Sequence, residues 1–304
     1  MMTAKDKIQR AFASVAFDGI YKYVKKNPAE NLIKLINLSE KLMGGAFPAK
    51  NFEAFRNAVQ DENNVWNRFA MNIINDTDGD VVKKMLLALG LGAGVNGTKA
   101  VRKNREIYKC NIPFILLFDP TSACNLRCKG CWSAEYGHKS NLSLDEMRSI
   151  VRQGSELGTH LYMLTGGEPL IRKDDIITLC RENPDCAFLA YTNATLIDQK
   201  FCDEMKKVGN LALALSIEGN EESNDFRRGE GSYSKTIAAM DLLKKNGLLF
   251  GISEDIIVEE LHHCTQSREC KYCIYIISKH IEHCTVEKQG NSAESRRKTV
   301  HAIY

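Results

Sequence analysis

No run of 18 uncharged apolar residues occurs in the chain; the longest candidate, Met85 to Val95, is eleven residues long, glycine-rich and too short to span a bilayer. A membrane partner is therefore not expected. A surplus of charge is also missing, since 41 Lys+Arg against 38 Asp+Glu leave a formal +3, which makes no case for nucleic acid or a strongly acidic partner. Evenly paired cysteines are lacking: eleven in 304 residues is an odd count and a poor disulfide framework, so reduced thiols and a cytoplasmic location are expected. Lys5, Lys7 and Arg10 precede the apolar run Ala11 to Phe17, but the run is short, Asp18 ends it and no A-x-A site is clear, so it reads as the start of an amphipathic helix. No G-x-G-x-x-G follows the first expected strand, which excludes an α/β dehydrogenase. What is present is an average globular composition, 44% hydrophobic and 26% charged, at a length that suits one large domain or two modest ones.

Residues 1–105 read as a helical region. Leu32, Leu35, Ile36, Leu38 and Leu42 recur at helical spacing behind Pro28, and Phe52, Phe55, Val59, Val65, Phe69 and Ile73 predict further helices. Val81 to Leu91 predicts another, closed by the glycines at 90, 92 and 94, and the basic run Lys99 to Lys109 reads as a solvated linker. From residue 112 strand and helix alternate. Strands are expected at Ile112–Asp119, His160–Leu164, Ala187–Tyr191, Leu211–Ile217 and Leu248–Ile252, with helices over Ser143–Leu157, Asp174–Arg181, Asp198–Val208 and Ser234–Lys245. Such alternation implies parallel pairing and an α/β barrel or open sheet, with ligand groups gathered at the strand C-termini.

The chemistry is concentrated in Cys124-Asn-Leu-Arg-Cys128-Lys-Gly-Cys131, a C-x3-C-x2-C triplet in the loop after the first strand. Thiolates suit soft metals and iron-sulfur clusters, and three in one short loop can hold a cube while leaving one of its irons without a protein ligand. A structural zinc completed by a residue such as His138, or buried unliganded thiols, are the plainer alternatives. Thr165-Gly166-Gly167-Glu168-Pro169 directly follows the second strand, where paired glycines allow close approach of backbone to a ligand or form a tight turn.

The triplet after strand one and GGEP after strand two together resemble the radical S-adenosylmethionine (radical SAM) superfamily, nearest to its peptide- and protein-modifying branch with auxiliary clusters. The resemblance covers residues 112–253 and implies a partial (β/α) barrel, of which five strands are recognisable, preceded by the helical N-terminal region. It implies that Cys124, Cys128 and Cys131 hold a 4Fe-4S cluster whose open iron is chelated by SAM, with Gly166, Gly167, Glu168 and Pro169 beside the methionyl amino group. It further implies that Thr192, Asn193, Ser216 and Glu218 line the SAM ribose and carboxylate, and that Arg228 reaches that carboxylate. The residue before the third cysteine, commonly aromatic in the family, is here Gly130; Trp132 is the candidate to replace it. The implied reaction is reductive cleavage of SAM to a 5′-deoxyadenosyl radical that abstracts hydrogen from a substrate, with a peptide or protein among the candidates and flavodoxin or ferredoxin as electron donor. A non-catalytic zinc- or iron-sulfur-binding interaction protein is the alternative reading.

The resemblance divides the chain into a helical region at 1–105, a radical SAM core at 106–253 and a tail at 254–304. The tail has four Cys, five of the seven His, a single Leu and no Phe, Met, Pro or Trp. Cys264, Cys270, Cys273 and Cys284, interleaved with histidines, would hold a second metal on one reading. On the other, a frameshift or truncation near Ser253 has replaced the family's sixth strand, which would expose the edge and apolar face of strand five and leave turnover in doubt. The abrupt loss of core-forming residues favours the second.

Overall fold

The computed structural model describes residues 4–43, 49–131, 133 and 140–253. Trp132, His138 and the whole tail, with its proposed second metal site, lie outside the described residues. The order of elements is α1 (Ala4–Lys26), α2 (Pro28–Met43), α3 (Ala49–Gln60), α4 (Val65–Asp76), α5 (Gly79–Leu86), a π-helical segment (Leu87–Gly97) and α6 (Thr98–Tyr108). Then come β1 (Ile115–Thr121), α7 (Leu144–Leu157), β2 (Leu161–Gly166), a 3₁₀ turn (Pro169–Arg172), α8 (Lys173–Glu182), β3 (Ala187–Thr192) and α9 (Gln199–Val208). β4 (Leu211–Ser216), α10 (Glu221–Arg228), α11 (Ser232–Lys245) and β5 (Phe250–Ser253) complete it. No described helix is long and apolar enough to cross a membrane.

All four strand pairings are parallel, and spatial order follows chain order, β1-β2-β3-β4-β5. Without a reversal of strand order there is no switch point of the doubly wound kind; repeated right-handed crossovers curl the sheet as in a barrel. Among the described residues β1 and β5 are its two edges. Side chains of Tyr162, Leu164, Phe188, Leu211, Leu213 and Leu215 are shut from solvent with Met147, Ile176, Leu179, Met205 and Met240 of the covering helices. Tyr162 and Phe188, on adjacent strands, stack at 5.4 Å between ring centroids.

Local chemistry sets where the helices begin. At α7 the Ser143 hydroxyl accepts from the Glu146 amide while the Glu146 carboxylate accepts from the Ser143 amide at 2.7 Å, a reciprocal capping box. Asp198 caps α9 at the Phe201 amide, 2.7 Å away, and Asn220 caps α10 at the Ser223 amide.

Two expectations are corrected in the helical region. The glycines at 90, 92 and 94 do not close a helix: α5 passes into the π-helical segment and on into α6, so the basic run from Lys99 is helical. The physical reason for Gly92 is close packing. A Cβ on Gly92 would stand 2.0 Å from the Asp185 carbonyl oxygen, so glycine lets this segment lie directly on the loop before β3. Alanine at Gly92 is therefore expected to cost about 1–3 kcal/mol, as overpacking does, whereas alanine at exposed Gly90, with open space around it, is expected to stabilise by about 0.5–1 kcal/mol. Thermal unfolding of the two variants checks this; equal midpoints would show that the segment does not sit on the sheet as described. α10 was not anticipated, because its polar sequence carries no apolar periodicity.

Candidate functional site

The C-terminal ends of the five parallel strands form one rim, and Cys124, Cys128, Cys131, Gly166 to Pro169, Thr192, Asn193, Ser216, Glu218 and Arg228 lie along it. β1 ends at Thr121, and the loop beyond it alternates: Cys124, Leu126 and Cys128 are partly buried while Asn125, Arg127 and Lys129 face solvent. The thiols of Cys124, Cys128 and Cys131 are all free and half-buried. Burial raises the pKa of Cys124 and of Cys128; the Leu126 amide, 3.4 Å from the Cys124 sulfur, and the Arg228 charge near Cys128 pull the other way. Half-buried thiols of this kind become thiolates when a metal displaces their protons.

The GGEP turn fastens this loop to β2. The Gly167 amide donates to the Thr121 carbonyl at 2.9 Å and the Glu168 amide to the Ala123 carbonyl at 2.8 Å. A Cβ on Gly167 would lie 2.2 Å from the Ala123 carbonyl oxygen, and Gly166, at φ +107°, has the Thr121 carbonyl 2.5 Å from its would-be Cβ. The backbone that approaches these glycines is thus the cysteine loop's own, a reason for the pair that the sequence reading did not foresee.

Glu168 is almost wholly buried. One carboxylate oxygen accepts from the Leu170 amide at 2.9 Å and the Thr192 hydroxyl at 2.7 Å; the other accepts from the Asn193 amide at 2.7 Å. It caps the 3₁₀ turn and clasps the end of β3 to the GGEP turn. Desolvation pushes its pKa up, opposed by these three hydrogen bonds and the Arg228 charge. Pro169, at the first position of the 3₁₀ turn, is buried beneath it.

Asn193 reaches back to the cysteines: its amide nitrogen donates to the Asn125 side-chain oxygen at 2.9 Å and lies 4.0 Å from the Cys124 sulfur. Thr195 closes the link, accepting from Asn125 at 2.8 Å and donating to Asn193 at 2.7 Å. Ser216, partly buried at the end of β4, shares the rim through the sheet register, opposite Ser253 of β5.

Glu218 and Arg228 come together as an ion pair. One Glu218 oxygen accepts from Arg228 Nε at 3.0 Å and Nη2 at 2.5 Å, and from Arg227 as well. Glu218 is 2% exposed and the two arginines 16% and 12%, so both are held against the site. The sequence reading missed Arg227, whose carbonyl accepts from the Lys129 amide at 2.7 Å and pins the cysteine loop to α10. It also missed fully buried Asn224, which accepts from the Glu218 amide at 3.0 Å and donates to the Ser232 hydroxyl at 2.8 Å. Neither stands in a motif; only the fold of α10 reveals them.

The donor set fits an iron-sulfur cube bound at three of its irons. Three free thiols stand in one loop, an amide donates to the first sulfur, and the Arg228 charge acts on both Cys128 and Glu168.

The chain is similar to an AdoMet-dependent heme synthase of Methanosarcina barkeri, 26% identical over 190 residues that cover 60% of this chain and 54% of that protein. It is similar also to a GTP 3′,8-cyclase of Yersinia pestis, 44% identical over 110 residues, 34% of each. Among solved structures, Streptococcus suis SuiB bound to precursor peptide SuiA is 20% identical with a TM-score of 0.39, over 52% of this chain and 43% of that one. The chain spans about half, or less, of the length of the curated relatives it matches. Residues 118–258, the stretch that holds the cysteine loop, the GGEP turn and the Glu218–Arg228 pair, match the model of the radical SAM superfamily.

Proposed function

We propose that this chain is a radical SAM enzyme of the cytoplasm, in which Cys124, Cys128 and Cys131 hold a 4Fe-4S cluster and the rim residues receive SAM. The observation that carries this reading is the gathering of three free, half-buried thiols, the Gly166–Gly167 turn and the Glu218–Arg228 pair at one end of a parallel sheet. When bound, a reduced cluster of this kind supplies the electron that cleaves SAM to a radical able to take hydrogen from an unactivated C–H bond.

The chain's own part is positioning. The three thiolates fix the cluster, and the amide on Cys124 tunes it. The Gly166–Gly167 turn and Glu168 keep the cysteine loop tight on β2 and β3. Arg228 brings a held positive charge to the rim, and an incoming carboxylate group would exchange with or join Glu218 as its partner. Arg127 and Lys129, exposed on the loop, offer a basic surface to an acidic donor such as flavodoxin or ferredoxin.

For the substrate we propose a peptide or protein, on the sequence resemblance of the barrel core. The two curated relatives are named for a tetrapyrrole and a nucleotide, so the domain itself accommodates unlike substrates. The helical region, the core and the tail are read as three successive regions of the chain, the end of the helical region packing on the sheet through Val81, Met85, Ala88 and Gly92.

Anaerobic reconstitution tests the enzyme reading. The full chain should take up about four iron and four sulfide and release 5′-deoxyadenosine from SAM on reduction. A colourless protein with one tight zinc on the triplet would support the alternative, a non-catalytic metal-binding interaction protein.

A further inference from the structure

We propose that His160, Asp185 and Cys186 form a zinc site at the base of the sheet, opposite the radical rim, where the N-terminal helices meet the strands. His160 immediately precedes β2, and Asp185 and Cys186 immediately precede β3. Since Leu161 pairs with Ala187, the parallel register sets 160 against 186, and the Ala187 amide fastens to the His160 carbonyl at 2.8 Å. The loop carrying Asp185 and Cys186 is fixed from below: buried Asn210 donates to the carbonyls of Cys180, Asn183 and Cys186 at 3.1, 3.0 and 2.9 Å.

The distances match a chelate. His160 Nδ1 lies 3.6 Å from the Cys186 sulfur and 3.6 Å from an Asp185 carboxylate oxygen, and the three ligand atoms lie within 4.8 Å of one another. Tetrahedral zinc, with bonds of about 2.0–2.1 Å to nitrogen and oxygen and about 2.3 Å to sulfur, separates nitrogen from sulfur by about 3.6 Å and nitrogen from oxygen by about 3.4 Å. A nucleophile–base–orienter relay is excluded by the same geometry, because a relay uses the two ring nitrogens for different partners and here one nitrogen faces both.

The surroundings suit this ligand set. His160 is 8% exposed and Cys186 is fully buried, with the Ser155 hydroxyl 3.4 Å from its sulfur. Burial keeps the imidazole neutral, the form that ligates, and pushes the Cys186 thiol up to about 12, so zinc binding would expel the thiol proton and form the thiolate. His160 and Asp185 open on a cavity of about 380 Å³ that supplies room for a water as fourth ligand. Its walls carry Asp6 and Glu156 against Arg10 and Lys99, so the two ligand charges of Asp185 and the Cys186 thiolate are what balance the dication. Because Gly92 packs on the Asp185 carbonyl, metal here would clamp the π-helical segment to the sheet. The proposal does not depend on the radical chemistry at the other end.

The test uses the full chain with Cys124, Cys128 and Cys131 and the tail cysteines Cys264, Cys270, Cys273 and Cys284 replaced by alanine, so that neither the rim triplet nor a thiol of the tail takes metal, and zinc alone as the probe. One zinc per chain should resist dialysis, and X-ray absorption should show one sulfur and three nitrogen or oxygen ligands. Cys186→Ser and Asp185→Asn, both close in shape to the parent, should each weaken zinc at least tenfold against a chromophoric chelator, while melting in EDTA like the parent. Three or four sulfurs around the zinc, or unchanged affinity in both variants, would overturn the proposal; the absorption measurement leaves His160, Asp185 and Cys186 themselves intact.

Discussion

Serine in place of Cys124, Cys128 or Cys131, one at a time, is expected to reduce 5′-deoxyadenosine formation from SAM to background and to strip most of the bound iron. On the proposed reading the three thiols are the protein's ligands to the cube, and a hydroxyl is a poor substitute for a thiolate toward iron. The fold should tolerate each change. The cysteines are half-buried in a loop, and that loop is held by Gly167, Glu168, Asn193 and Arg227 through contacts that do not involve sulfur, apart from the approach of Asn193 to Cys124. The unfolding free energies of the apo variants, from thermal melts, should stay within about 0.5 kcal/mol of the parent, the range of surface substitutions. Loss of activity together with a large loss of stability would instead mark the triplet as a structural metal site.

Alanine at Glu168 is expected to act in the opposite way, with stability falling first. Removal of this carboxylate leaves three buried donors, the amides of Leu170 and Asn193 and the Thr192 hydroxyl, without their acceptor. At about 1–3 kcal/mol for each orphaned group, the cost is at least about 3 kcal/mol. That corresponds to a midpoint lowered by at least roughly 6–12 °C for a chain of this size class. Glutamine should rescue only part, because its NH2 must face at least one of the same donors. Cleavage of SAM should fall with the fold, since the clasp sets Asn193 and the cysteine loop. A Glu168→Ala chain that melts like the parent but needs far more SAM would show that Glu168 is purely a ligand of the cofactor, contrary to the clasp described here.

The sequence pattern made the parallel β/α order legible, because five apolar strand runs and four intervening helices each carry their own periodicity and caps, such as Ser143 with Glu146. The site was legible where residues sit in motifs at strand ends: Cys124, Glu168, Asn193 and Glu218 all fall on the rim. What escaped was chemistry that depends on long-range packing. The glycines at 90, 92 and 94 read as helix breakers, and the use of Gly92 is to admit the Asp185 carbonyl. Arg227 carries no signal in the sequence, and the burial of Arg227 and Arg228 against Glu218 is visible only once α10 is folded across the rim. Cys186 and His160, 26 positions apart and in no motif, meet only through the β2–β3 register.

The central claim is that the rim triplet holds a cluster with one iron open to SAM. Electron paramagnetic resonance of the reconstituted, dithionite-reduced full chain, recorded before and after SAM is added, tests it most directly. A cluster with an open iron that takes SAM will shift its g values on addition and will show coupling to isotopically labelled SAM amino and carboxylate groups. A reduced cluster whose spectrum is indifferent to SAM would contradict the account.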